Sequence, residues 1–194
     1  MNLAITGARL LPDAARAGLQ PRLRAIVAAL PPAMLFTPLA EGADRLAAQV
    51  ALAQGWRIAA VLPFAQADYE QDFAAPVTPG ATPAQCLAEF RALLAAASEV
   101  TVLDHARHPD PRPGYEAAGR AVVERADLLI AIWDGERNNR RGGTAETIRH
   151  AATIGRPILW LPSDGTRPAR VIEALAAFDD PRDLPEALGW LATR

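Results

Sequence analysis

Two adjacent glycines followed by a threonine, Gly142, Gly143 and Thr144, form the pattern that points most directly to a chemical role in this sequence. Glycine lets a ligand approach the backbone closely, and the first turn of a helix offers N–H groups without partners at the positive end of its dipole. This combination is typical of a phosphate-binding seat. The alternative is an ordinary glycine turn in which Thr144 caps the helix.

Two other apolar runs end in residues that could contact the same ligand. Arg9 follows Gly7 and Ala8, and its guanidinium could hold a phosphate or stay solvated at a helix start. Asp134 and Gly135 follow the most apolar run of the chain. We expect the Asp134 carboxylate to contact a ribose, a water or a base, and it is one candidate for activating water.

A third turn places Glu41 and Asp44 on either side of Gly42 and Ala43, at the start of a predicted helix. Carboxylates at such a place stabilise the helix dipole or bind a ligand hydroxyl, and both interpretations stay open. Three arginines precede the glycine pair. They could screen a phosphate, although a solvated basic loop is favoured. These are Arg137, Arg140 and Arg141.

Loop and helix-start residues complete the set of candidates. Pro63 ends the third apolar run, and Asp68 and Tyr69 lie in the long segment after it, which is suited to closing over a ligand. Tyr115 and Arg120 lie at or near the start of a helix that faces the same edge. The alternatives are a surface loop for the first pair, packing for Tyr115 and a surface ion pair for Arg120.

The elements that must position these residues alternate between strand and helix along the whole chain. This pattern predicts an α/β fold: a Rossmann-like, doubly wound, mostly parallel sheet of about six strands in three layers. In such sheets the ligand lies beyond the carboxyl ends of the strands, where the candidate residues converge. The predicted strands are 3–5, 34–36, 58–62, 100–103, 128–133 and 157–161, and the predicted helices are 13–30, 43–54, 83–98, 115–125, 144–154 and 168–178.

Length and composition place limits on the protein. With 194 residues, half of them apolar, we expect one domain over 1–194, with a core of about 2–162 and C-terminal helices over 166–194. The net charge of −2 gives no global positive field, so we do not expect nucleic acid as a partner.

Cys86 is the single cysteine and no metal-ligand cluster is visible, so we expect no metal and no cofactor. No signal peptide or apolar run of about 20 residues is present, and we expect a cytoplasmic protein without membrane contact.

Five segments in order resemble the SLOG superfamily, which includes the LOG (lysine-decarboxylase-like) phosphoribohydrolases and the DprA/Smf DNA-processing proteins. They are 5–9, 39–46, 61–64, 126–135 and 142–146. The resemblance covers about residues 2–162. It implies a Rossmann-like sheet and a nucleotide or nucleotide derivative whose phosphate lies at the helix start near Thr144. The turn at 42–44 is similar to the Gly-Ile-Asp of DprA.

The function we expect is binding of a phosphate-bearing nucleotide or derivative, as a sensor or a nucleotide-processing protein, in what we expect to be a homodimer. A different possibility is LOG-like hydrolysis of a nucleotide N-glycosidic bond, with Glu146 or Asp134 as catalytic residue. Glu146 stands two residues after Thr144, where the LOG pattern has three, so the resemblance implies binding more directly than hydrolysis. A DprA-like single-stranded DNA binder is a third possibility, and an interaction domain whose glycines serve only turns is a fourth.

Overall fold

Eight strands form one sheet in the computed structural model, which describes residues 1–136, 141–173, 175–178, 181–184 and 187–191. The strands are β1 (Leu3–Gly7), β2 (Met34–Thr37), β3 (Arg57–Leu62), β4 (Glu99–Val102), β5 (Leu128–Trp133), β6 (Ile158–Pro162), β7 (Ala169–Ile172) and β8 (Arg182–Leu184). The helices are α1 (Asp13–Ala28), α2 (Ala43–Ala53), α3 (Gln66–Glu70), α4 (Pro83–Ala96), α5 (Arg112–Arg125), α6 (Thr144–Thr153) and α7 (Ala187–Leu191).

The order of the strands across the sheet is β4-β3-β2-β1-β5-β6-β7-β8. Strands β1 to β6 pair in parallel, whereas β7 and β8 pair antiparallel at one edge. The direction of strand succession reverses between β1 and β5, which is the switch point where an open α/β sheet forms its crevice. The predicted fold class, a mostly parallel Rossmann-like sheet, is confirmed.

Helices cover both faces of the sheet because its central strands are apolar on both sides. In β5, Leu128, Ile130 and Ile132 face a core shared with α1, α2 and α4, and the residues between them face a second core shared with α5 and α6. Every residue of β5 is buried, as parallel sheets between two helix layers require. Among the described residues, no helix is long and apolar enough to cross a membrane.

The predicted helix over 168–178 is wrong. The chain forms β7 there, followed by a short 3-10 turn, Leu175–Ala177. A tight turn comes first, in which Gly165 has φ +76° and the Asp164 carboxylate accepts the Thr166 amide. This turn reverses the direction of the chain, and β7 then pairs with the free edge of β6. Of the C-terminal helices expected over 166–194, the described residues contain only α7.

Candidate functional site

A cavity of about 360 Å³ opens at the carboxyl ends of β1, β2, β3 and β5, on the switch point. Eleven of the candidate residues line it together: Gly7, Ala8, Arg9, Asp44, Pro63, Tyr69, Tyr115, Asp134, Gly142, Gly143 and Thr144. Seven others stand outside its lining: Glu41, Gly42, Ala43, Asp68, Arg120, Gly135 and Glu146. Segments far apart in the sequence therefore meet in one place, as expected for the strand ends of a doubly wound sheet.

The start of α6 forms one wall of this cavity. Gly142 has φ +75°, and a Cβ there would lie 2.7 Å from Tyr115 Cβ, so only glycine fits between the loop and α5. Gly143 is the N-cap and Thr144 the first helical residue, without a capping hydrogen bond from a side chain. The interpretation of Thr144 as N-cap is therefore wrong. The Glu146 carboxylate accepts the Gly142 amide and so fixes the loop.

The turn after β1 packs tightly against the start of α2. The Ala43 amide donates to the Ala8 carbonyl at 3.0 Å, and the Ala8 amide donates to the Ile132 carbonyl at 2.9 Å. Gly42 has φ +81°, and a Cβ on it would lie 2.2 Å from the Arg9 carbonyl oxygen. These contacts fix the backbone of Gly7–Arg9 between two elements, so Arg9 projects from a rigid base at the cavity.

The buried Glu41 carboxylate binds the loop between α3 and α4. This carboxylate accepts the amides of Val77 (3.2 Å) and Thr78 (3.4 Å), and Arg9 Nη2 lies 3.4 Å from its Oε2. Burial alone would raise the pKa of Glu41, but these hydrogen bonds and the Arg9 charge keep the pKa below its usual value. Glu41 therefore anchors the loop at Val77 and Thr78, a role that neither interpretation from the sequence included.

Asp44 is one of two acids whose side chains are buried in the lining of the cavity, and Asp72 is the other. The Asp44 side chain is 5% exposed, and its Oδ2 accepts the Ala40 amide at 3.2 Å. Burial raises its pKa to about 7, against the opposing effect of this hydrogen bond and of Arg45 and Arg9. Asp44 therefore changes between its carboxyl and carboxylate forms near neutral pH, and the carboxylate offers Oδ1 as an acceptor.

An aromatic wall faces Asp44. Tyr69 is 3% exposed and lies edge-on to Phe73, with ring centroids 5.2 Å apart. Tyr115 lies edge-on to Phe64 at 5.4 Å, and its hydroxyl donates to Asp72, which Arg107 Nη2 also contacts at 2.6 Å. This network joins the loop after β3, the loop after β4 and α5 into one wall.

Asp72 and Phe73 line the cavity without having been predicted from the sequence. They follow Tyr69 by three and four residues. They continue the same short helical segment, so helical spacing from Tyr69 could have found them. The remaining lining residues gave no chemical signal because they are small or apolar. These are Thr6, Pro38, Ala40, Ala118, Gly119, Trp133, Ala145 and Thr147.

The charged residues around α6 pair with one another. Arg120 contacts Glu116 and lies 3.7 Å from Glu146, and Arg141 contacts Glu116. The Asp134 Oδ1 accepts the Glu136 amide at 2.8 Å. Arg137 and Arg140 lie outside the described residues. Within the part of the chain that the structure describes, no group of three or more His, Cys, Asp or Glu is arranged to hold a metal ion.

Two solved structures share this arrangement of strands and helices. One is DNA processing protein A (DprA) from Streptococcus pneumoniae, with a TM-score of 0.57 and 18% identity over 83% of this chain. The other is DprA from Helicobacter pylori, described for its unique single-stranded DNA binding mode, with a TM-score of 0.56 and 17% identity over 84% of this chain. The chain shares its fold with a part of DprA. It spans 50% of the first protein and 65% of the second, whereas no family model and no curated protein matches it.

The resemblance to DprA/Smf-related proteins is thereby confirmed at the level of the fold. The expectation that excluded nucleic acid as a partner is wrong, because a protein with this fold is described by its binding of single-stranded DNA. The error lies in the use of net charge. A total of −2 sums the whole surface, whereas phosphate contacts depend on a few cations and amides at one place.

Proposed function

We propose that this chain binds single-stranded DNA, with one nucleotide unit of the strand in the cavity at the switch point. The observation that carries this proposal is the cavity itself. It combines a glycine-flanked helix start, a rigidly based arginine and the half-buried ring of Tyr115 at the carboxyl edge of a sheet that shares its fold with part of DprA. Phosphate seats and base-stacking surfaces are the two components that single-strand binding needs.

The phosphate end of the cavity is the start of α6. The first-turn amides of a helix have no partner inside the helix, and Gly142 and Gly143 leave room for a phosphate oxygen to reach them. Arg9 is 46% exposed and carries a charge toward the same space. The Glu146 side chain already uses the Gly142 amide, which leaves the helix amides beyond it for the ligand.

Exposed arginines surround this end. The side chains of Arg112, Arg120 and Arg141 are 65%, 50% and 55% exposed. Each forms an ion pair with a neighbouring acid, but an exposed ion pair is weak enough to exchange for a phosphate. A strand that leaves the cavity toward α5 therefore meets cations on a protein whose net charge is negative.

The test is fluorescence anisotropy of a labelled oligodeoxynucleotide with wild-type protein and the Gly143→Asp variant. Gly143 has φ −95°, so aspartate fits the backbone and serves as an N-cap, but its charge repels a phosphate. We expect at least a tenfold loss of affinity, about 1.4 kcal/mol. The control is Thr82→Asp, which puts the same charge at the N-cap of α4, outside the lining of the cavity. Absence of binding to wild type at low salt contradicts the proposal.

A second candidate is a free nucleotide, which the size of the cavity favours. A volume of about 360 Å³ lies in the range of small-molecule sites. Thermal-shift measurements with nucleoside 5′-monophosphates separate the two, since a strand binder gains affinity with oligonucleotide length and a free-nucleotide binder does not. Hydrolysis gains no support from Glu146, which fixes the loop and lies outside the cavity lining. Release of free base from AMP would still establish it.

A further inference from the structure

Two polar side chains that line the cavity are more than nine-tenths buried, and each has a polar atom that makes no hydrogen bond within the described residues. They are Asp44, 5% exposed, and Tyr69, 3% exposed. Among the hydrogen bonds of the described residues, Oδ2 of Asp44 accepts the Ala40 amide, and none uses Oδ1 of Asp44 or the Tyr69 hydroxyl. Both groups belong to rigid elements, since Asp44 lies in the first turn of α2 and Tyr69 in α3.

Nearly all polar atoms that are buried from water in folded proteins have a hydrogen-bond partner. The free atoms of Asp44 and Tyr69 are not among the buried atoms without a partner in the described residues, so they keep contact with the solvent in the cavity, and a ligand that enters can replace that water. Asp72, the other acid of this wall, satisfies this rule within the protein, because Arg107 and Tyr115 both contact it. Asp44 and Tyr69 differ from it in that their free atoms face the cavity.

Their place in the sheet sets what they can contact. Asp44 begins the helix that follows β2, and the phosphate end of the cavity begins the helix that follows β5. Strand β1 lies between β2 and β5, so the two ends are about 10 Å apart, the spacing of two strands. A phosphate at α6 therefore brings the nucleoside of the same nucleotide to Asp44 and Tyr69.

We infer that Asp44 and Tyr69 form a subsite for a hydrogen-bond donor of the nucleoside, an amino group of the base or a hydroxyl of the sugar, which donates to Oδ1 of Asp44. The Tyr69 hydroxyl donates to an acceptor of the same nucleoside. Carboxylates accept hydrogen bonds from exocyclic base amines and from sugar hydroxyls, so the two sources share this chemistry. The inference rests on the proposed function, since it assumes that a nucleotide unit occupies the cavity.

The test compares ligands that differ at one edge of the base or in one sugar hydroxyl. Cytidine and uridine decamers are used, each as DNA and as RNA: cytosine has the N4 amino donor and an N3 acceptor, whereas uracil has an O4 acceptor and an N3–H donor. The four 5′-monophosphates repeat the comparison for free nucleotides. Affinities are measured for wild type, Asp44→Asn, Tyr69→Phe and the control Asp127→Asn. Asp127 is exposed and lies just before β5, at the amino edge of the sheet.

We expect wild type to prefer the ligand that carries the donor by about tenfold, a hydrogen bond of about 1.4 kcal/mol. Asp44→Asn should abolish this preference, Tyr69→Phe should weaken binding of all four, and Asp127→Asn should change neither. A preference for cytidine identifies the base amine, and a preference for RNA identifies the hydroxyl. A preference for uridine, whose donor is N3–H, overturns the assignment to these two groups. Binding with no preference that depends on Asp44 overturns the inference alone. Binding of none of the ligands overturns the proposed function as well.

Discussion

Glu41 and Asp44 show how far two identical functional groups can diverge within one turn. Both are buried carboxyls, 2% and 5% exposed, on either side of Gly42. The amides of Val77 and Thr78 stabilise Glu41 as an anion and lower its pKa. Asp44 accepts a single amide hydrogen bond, so the effect of burial is larger and raises its pKa. The sequence predicts a charged pair at this turn but cannot separate the two roles, because the partners of Glu41 lie 36 and 37 residues away.

Asp44→Asn should stabilise the protein at neutral and alkaline pH. Because burial raises the pKa of Asp44 from 3.8 to about 7, the folded state holds a proton that the unfolded chain releases between those values. The free energy of unfolding of wild type therefore falls as pH rises from about 4 to about 7 and keeps that loss above 7. We expect the variant to gain on the order of 4 kcal/mol at pH 8 and little at pH 4, measured by urea unfolding. An equal effect at both pH values contradicts the assignment.

Glu41→Gln should lower the free energy of unfolding at neutral pH, which is the opposite of the effect expected for Asp44→Asn. The pKa of Glu41 is lowered, so its contribution to stability is present above its ordinary pKa of 4.5 and is lost as pH falls through the lowered value. The variant should unfold at lower urea concentration than wild type at pH 7, and this difference should shrink as pH falls below 4.5. Hydrogen exchange of the Val77 and Thr78 amides should rise in the variant at pH 7. Unchanged exchange there shows that Glu41 does not anchor the loop.

At the scale of elements, the predictions held where a segment is buried on both sides. The predicted strand 128–133 has the same bounds as β5. A short, fully apolar run between turns is typical of a strand that is buried between two helix layers, so its residues alone predict it. The helix predicted over 168–178 is wrong because the structure of this segment depends on the strand that pairs with it. Its Arg-Val-Ile stretch packs as a strand only against the free edge of β6, and no local pattern contains that edge.

Helices α5 and α6 meet at a glycine, which gives an element-level prediction. A Cβ on Gly119 would lie 2.5 Å from Thr147 Oγ1, so Gly119→Ala should cost about 1–3 kcal/mol despite alanine's better helix propensity. Thr147→Ala removes that oxygen, and we expect the double variant to recover most of the loss in urea unfolding. A Gly119→Ala variant that is as stable as wild type shows that the helices can move apart without cost.

At the scale of the whole molecule, the sequence predicted the class of fold and the edge where the cavity lies. It did not predict the walls of the cavity. Arg107, Asp72 and Tyr115 come from three separate segments, and their network depends on how the loops after β3 and β4 close on α5. Net charge was misleading for a related reason, since a sum over the chain contains no information about where the arginines gather.

The net charge also yields a prediction about salt. If contacts with DNA are confined to Arg9, the start of α6 and the arginines beside it, few counterions are released on binding. The slope of log K against log salt concentration should then lie between about −0.7 and about −2.8, which corresponds to one phosphate at Arg9 and the start of α6 and up to three more at the neighbouring arginines. A slope near about −4 measured by anisotropy places the binding surface elsewhere on the protein.

The rings of Trp133 and Trp160 lie against each other near the ends of β5 and β6, with centroids 4.9 Å apart and planes tilted by 43°. The Trp160 indole N–H donates to the Trp133 carbonyl at 2.9 Å. Trp133 also lines the cavity. Two indoles this close share their excited states, so the pair gives the protein an optical signal of its own. Anything that enters the cavity changes the surroundings of one partner, and its arrival can be followed by near-ultraviolet circular dichroism and tryptophan emission without a label on either molecule.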